Sequence, residues 1–319
     1  MGETRRVWTK SLSLGVISAL SLASSGCVAI DRVVAKAAVG YLEDGAVVFQ
    51  QEPDPQLARE AIPANFKLLE ILLYRNPNDR ALLTLASQYI ATYAYAFVEP
   101  EIERLELTDP EGAAHAKARA VAFYARGQAY GLRALSQKPG LVDALSGDPA
   151  ALSQALKKLN RADVPALFWT GFCWGSKLNL TLDQPASLAD SGAVSALMQR
   201  VLELDEGYYY GGAHLFFGAL LARLPESAGG LPAESRKHFE RALQLSEGKL
   251  LMTRVFYARY LAVKLQDRAL FTRELEAVRA ASVDAFPNER LANLEAQRRA
   301  QFYLAQADEY FLPLDSPDP

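Results

Sequence analysis

Thiols are nearly absent from this chain. Cys27 and Cys173 are the only cysteines among 319 residues, so no disulfide framework holds the fold and stability has to come from packing. Histidine is almost as scarce, with only His115, His214 and His238. None of the three stands in an H-E-x-x-H arrangement or pairs with cysteine at zinc-ligand spacing, so no metal ligand is assigned. His115 and His238 lie among Lys and Arg and read as parts of solvated helix faces. No G-x-S-x-G elbow occurs, and Gly211-Gly212 belongs to no phosphate-cradling loop. Asp205 and Glu206 are adjacent, and adjacent side chains on a helix point about 100° apart, which suits a helix end better than an acid–base pair. No catalytic residue and no cofactor is therefore assigned, and the chain is expected not to be an enzyme. A basic tract is missing too. The formal net charge is −3, and loss of Glu3, Arg5, Arg6 and Lys10 with residues 1–26 takes it to −5. That balance argues against nucleic acid as a partner.

What the N-terminus does have is an export signal. Arg5, Arg6 and Lys10 precede an apolar stretch at 11–23, and Ser24-Ser25-Gly26 leads into Cys27. This is the layout of a secretory signal peptide. The apolar stretch is about half of what a membrane-spanning helix requires. A cysteine at the cut site can accept a diacylglycerol thioether, and two or more acyl chains hold a protein stably to a bilayer. Residues 1–26 are thus read as a lipoprotein signal peptide and Cys27 as the lipidated residue, although Ser24 stands where leucine is usual. A plain signal peptide cut nearby is the alternative. Val28 in place of aspartate after the cysteine points to a periplasm-facing anchor in the outer membrane.

The remainder reads as helix throughout. Leu82, Leu85, Ala86, Tyr89, Tyr93 and Phe97 fall on one helical face, as do Leu251, Val255, Ala258, Leu261, Ala262 and Leu265. Asp54-Pro55, Asp109-Pro110 and Asp148-Pro149 each set a capping acceptor before a proline at the first helical position, where its missing N–H is harmless. Val164-Pro165 and Leu231-Pro232 supply further starts, and Asn76-Pro77-Asn78-Asp79 is a tight turn. Short breaks between helices imply antiparallel neighbours. Leu72–Asp79, Val201–Tyr208 and Ala242–Lys249 each end one helix and open another, the last two 41 residues apart. The expected fold is all-α over residues 27–312: stacked antiparallel hairpins in a tetratricopeptide-like solenoid. The proline-rich tail 313–319 is expected to be disordered.

Two stretches interleave aromatics with glycines, Ala166–Gly175 and Gly207–Gly218. Close helix packing explains much of both. Yet three consecutive tyrosines on a helix would point in three directions, so they cannot all be core. Tyr208, Tyr209, Tyr210 and His214, with Trp169 and Trp174, are the candidate ligand- or pore-lining residues.

In this order the two stretches resemble the T-component lipoproteins of tripartite ATP-independent periplasmic (TRAP) transporters. Tyr209, Tyr210, Gly211, Gly212, His214 and Gly218 match that family's Y-Y-G-G-x-H-x-x-x-G run, and Phe168-Trp169 with Trp174-Gly175 match its upstream aromatic pattern. Leu85–Tyr89, Tyr93–Phe97 and Ala122–Tyr130 resemble its earlier helices. The resemblance implies a tetratricopeptide-like fold, a ring-shaped homotrimer and a channel through each subunit. It also implies docking of a periplasmic solute-binding protein, with transfer of an apolar or organic-acid ligand. A helical-repeat scaffold lipoprotein for envelope protein assembly is the alternative. Cys27→Ala is expected to move the protein to the soluble fraction, or to leave uncleaved precursor, on fractionation of the envelope. A membrane-bound variant of normal mature size would refute the lipid assignment.

Overall fold

The computed structural model describes residues 37–106 and 108–312. The expected signal peptide, Cys27 and the tail 313–319 lie outside the described residues. Among those described, the regular structure is entirely helical. The helices are α1 (residues 37–50), α2 (Pro55–Arg75), α3 (Arg80–Tyr93), α4 (Glu99–Leu105), α5 (Pro110–Leu135), α6 (Leu141–Leu145), α7 (Pro149–Lys157), α8 (Val164–Leu180), α9 (Pro185–Asp205), α10 (Tyr208–Arg223), α11 (Pro232–Leu245), α12 (Met252–Phe256), α13 (Arg268–Ala280) and α14 (Arg290–Ala305).

Several starts follow from local chemistry. Asp54 Oδ1 accepts from Gln56 N at 2.9 Å and Leu57 N at 3.3 Å, and Asp109 Oδ1 accepts from Gly112 N at 3.0 Å. These bonds satisfy N–H groups that have no partner inside the helix. Asp148 departs from the expected pattern: its carboxylate makes no cap bond, so Pro149 alone sets that start by fixing φ. Asp79, read as a turn residue, caps α3 through Leu82 N at 3.0 Å.

The apolar face of α3, including Leu82, Leu85, Ala86, Tyr89 and Tyr93, is buried together with Phe97. The run Arg80–Leu105 is long and apolar enough to cross a membrane by composition, but 67% of that window is buried inside the protein. It serves as a core helix. Of the later face, Leu251, Val255, Ala258, Leu261 and Ala262 are buried while Leu265 is exposed, because Gln266 turns into the left-handed region (φ 53°) and ends the helix there.

The buried side chains form two clusters. The first, spanning α1 to the start of α10 and joined by Leu291 from the start of α14, centres on Leu69, Leu83, Ile90, Tyr124, Leu167 and Trp169. The second, from the end of α10 to α14, centres on Phe239, Val255, Leu261, Phe271 and Leu275. Tyr95 packs against both.

Among the described residues, two segments widen to i→i+5 hydrogen bonding, Ala94–Val98 and Tyr257–Ala262. At the first, Glu99 N–H bonds Ala94 O. The next donor in that register would be residue 100, which is proline and has none. The Tyr95 carbonyl is thereby freed, and Arg299 of α14 donates to it at 2.5 Å. A buried carbonyl requires such a partner. One proline thus draws the C-terminal part of the chain onto the N-terminal part.

Close packing of α5 on α8 rests on glycine. A Cβ at Gly131 would lie 2.2 Å from Thr170 Oγ1 and 3.0 Å from its Cα. Gly131→Ala is expected to lower stability by about 1–3 kcal/mol, as overpacking does. Gly192, exposed within α9, has nothing within 4 Å of an added Cβ. Gly192→Ala should instead raise stability by about 0.5–1 kcal/mol through helix propensity. Thermal denaturation of the pair checks both signs.

Candidate functional site

The start of α10 is not regular helix. Tyr209 (φ 47°), Tyr210 (φ 57°) and Gly211 (φ 79°) all occupy the left-handed region. The three tyrosines therefore do not radiate at 100° intervals, as a regular helix would require. The strain, about 1–3 kcal/mol for each non-glycine residue, is sustained by tight surroundings. A Cβ at Gly211 would sit 2.9 Å from Leu245 Cδ1, and one at Gly212 would sit 2.6 Å from the Phe168 ring. The double glycine lets this turn press between α8 and α11.

The turn delivers two rings to the junction of the clusters. Tyr209 meets Trp169 edge-on at 5.0 Å and Phe168 at 5.5 Å, and Tyr210 meets Phe286 at 5.1 Å. Between the clusters lies a cavity of about 160 Å³. Its wall is mainly apolar and rich in rings: Phe168, Trp169 and Phe172 from α8, Tyr209, Tyr210 and Phe216 from α10, Phe256 from α12, and Tyr95 and Tyr260 from the two widened segments. Tyr95 stands edge-on to both Phe172 (5.9 Å) and Phe256 (5.8 Å), which closes the wall across the clusters.

Of the residues singled out in the sequence, Trp169, Tyr209 and Tyr210 meet at this cavity. Tyr208 instead borders a shallow groove with Thr84, Gln88 and Ala166. Trp174 is buried elsewhere and donates from Nε1 to Asp190 Oδ2 at 2.8 Å. His214 belongs to a separate polar cluster. Its Nδ1 lies 2.8 Å from His238 Nδ1, and its Nε2 lies 3.0 Å from Glu206 Oε1. His238 is therefore half-buried and paired, contrary to the solvated face expected for it. Hydrogen bonds from Arg241 and His214 hold the Glu206 carboxyl down to about 2. Burial and the neighbouring His214 push His238 below the usual imidazole range, consistent with a ring pair in which at least one nitrogen must accept.

Three acids also line the cavity, Glu99, Glu289 and Glu295. Burial raises all three above the usual carboxylate range. Two have cationic company. Glu99 lies near Arg299 and accepts from Tyr124 Oη at 2.5 Å. Glu295 pairs with Arg298 at 3.2 Å. Glu289 is different. It is 2% exposed, the Tyr210 hydroxyl is its hydrogen-bonding neighbour among the described residues, and burial pushes it up to about 7. Nothing local in the sequence marks these acids. Glu99 follows an apolar run, and Glu289 lies far down the chain from the tyrosines it joins.

Comparison with known proteins agrees with this frame. The model of the family described as TRAP transporter T-component matches residues 51–311. An uncharacterized protein of Treponema pallidum (strain Nichols) is 28% identical over 267 residues, which is 83% of each chain. The chain belongs to the TRAP transporter T-component family. Every cavity residue named above falls within the matched span.

A buried acid whose folded pKa is raised has its full stabilising contribution below the unfolded value, near 4.5, and loses it as pH rises through about 7. Glu289→Gln, neutral at every pH, is expected to match the wild type at pH 4.5. At pH 8 it should be more stable by on the order of 2 kcal/mol. Denaturant melts at both pH values check this, and a variant less stable than wild type at pH 8 would contradict it.

Proposed function

We propose that this chain is a periplasm-facing docking and ligand-relay lipoprotein, anchored through Cys27 in the outer membrane, that engages a periplasmic solute-binding protein. The observation that carries the reading is the aromatic cavity between the two packing clusters, formed in part by the Tyr209-Tyr210-Gly211-Gly212 turn. A mostly apolar, concave site with a few polar groups suits a small apolar ligand. Organic acids are the other class that the family resemblance implies. The helical pairs α2 with α3, α8 with α9, α10 with α11 and α13 with α14 pack on one another, which supports a tetratricopeptide-like stack of hairpins.

Self-association, a trimer by resemblance, has support in an uncovered apolar stripe. Leu57, Leu68, Ile71 and Tyr74 of α2 are exposed, Tyr74 to 87%, and Tyr41 and Val48 of α1 are exposed as well. Monomeric soluble proteins seldom leave so many large apolar groups uncovered together. The same stripe would serve a scaffold that binds only protein, so the two readings part on the small molecule.

The test is capture of the lipoprotein from its own envelope, with mass spectrometry of bound proteins and of extracted small molecules. An extracytoplasmic solute-binding protein and an apolar small molecule are expected. Ala219→Phe, which adds bulk at the cavity wall, should keep the protein partner and lose the small molecule. Capture of envelope proteins alone, identical for wild type and Ala219→Phe, would leave the scaffold reading in its place.

A further inference from the structure

Glu289 poses a problem that the rest of the cavity does not solve. Its carboxyl is enclosed, and Tyr210 is the one neighbour that hydrogen-bonds it there. The groups around it supply no cation. From α10 come Tyr209 and Tyr210, which are neutral. From α14 come Glu295, already paired with Arg298, and Arg290, whose guanidinium turns to Asp284 Oδ1 (2.9 Å) and Gln51 O (3.3 Å). Across the cavity, Glu99 is matched by Arg299 and Tyr124. Arg223 donates one long bond to Asn179 O at 3.4 Å and lies 5.4 Å from the centre of the Tyr260 ring, on the side of Glu99. Among the described residues Glu289 makes no ion pair. A buried carboxylate without a countercharge is unfavourable unless something brings one.

The wall beside it is built for that something. The faces of aromatic rings attract cations, most strongly where water is excluded. Tyr209 and Tyr210 stand beside Glu289 and Trp169 lines the same cavity, so the carboxylate shares its space with electron-rich rings. An ammonium group finds there both a countercharge and ring faces. A carboxylate ligand at Glu289 would meet a like charge; Arg223, the guanidinium in the cavity wall, stands by Glu99 and Tyr260 instead.

We propose that the cavity binds an organic cation, with its apolar or aromatic body between Trp169 and Phe256 and a protonated amine at Glu289 and Tyr210. This rests on the cavity being a ligand site, as proposed above, and narrows the ligand from apolar compounds and organic acids to apolar amines.

The test uses the lipidated mature protein in nanodiscs, with empty nanodiscs as the blank, and three probes of similar shape: phenethylammonium, phenethyl alcohol and 3-phenylpropanoate. Affinity is read by calorimetry and by tryptophan fluorescence. At about pH 8.5, with Glu289 ionised, the amine should bind at least about tenfold more tightly than the alcohol, and the acid most weakly. At about pH 5.5 the amine's advantage should shrink to within about threefold, because Glu289 then holds a proton. Glu289→Gln should abolish the preference at both pH values while leaving the alcohol's affinity within about threefold. Its fold is checked by circular dichroism, and the pH series on wild type stands independently of the variant. Binding of the acid or the alcohol as tightly as the amine at the higher pH overturns the proposal and leaves the cavity reading intact. A preference that survives in folded Glu289→Gln does the same. Binding of none of the three overturns the cavity reading and this inference with it.

Discussion

The guanidinium of Arg299 holds the two packing clusters together. It donates to the Tyr95 carbonyl, lies 4.6 Å from the centre of the Tyr95 ring, and shares its surroundings with Glu99 and Glu103. Tyr303, one turn further along α14, donates to Glu103 Oε2 at 2.5 Å. The contact exists because Pro100 cannot supply the N–H that Tyr95 O would otherwise use. A buried charge network of this kind adds less to stability than apolar packing of the same volume, but breaking it from one side is expensive, about 3–5 kcal/mol, since it strands the remaining charge. It therefore fixes where α14 sits. With polar groups required at the junction, the two apolar clusters do not merge, and the space between them stays open and lined by rings.

The same constraint accounts for the two widened segments. Ala94–Val98 and Tyr257–Ala262 carry Tyr95 and Tyr260 to the cavity from opposite clusters. Single-turn widenings of this type are frequent at functional sites, where a helix must re-aim one side chain without ending. The left-handed turn at Tyr209 and Tyr210 does the corresponding work on α10. Both widened segments and the left-handed tyrosine turn thus meet where the cavity is built, while α5 and α8 are regular and tightly packed on each other.

Much of the fold was legible because it is local. Apolar spacing over Leu82–Phe97 identified a buried face, and Asp-Pro pairs located helix starts, even at Asp148 where the proline acts without the carboxylate. The Y-Y-G-G-x-H run and its aromatic partner identified the family. The cavity was legible only in part. Trp169, Tyr209 and Tyr210 stood out by composition, yet the left-handed turn that aims the tyrosines depends on Leu245 and Phe168, which lie in other helices. The pairing of His214 with His238 and of Tyr210 with Glu289 crosses 24 and 79 positions of the chain, and no periodicity spans such separations. The Arg299–Tyr95 contact, 204 positions apart, has one local sign, a proline after a run of aromatics, and that sign does not name its partner.

The claim that Arg299 holds the two clusters around the cavity is tested most directly by hydrogen exchange on Arg299→Met, a change that keeps side-chain length and removes the charge. Amides of α12, α13 and α14 are expected to lose protection first and together, while those of α3, α5 and α8 keep theirs. Protection unchanged across α12–α14, or lost evenly over the whole chain, would contradict the account.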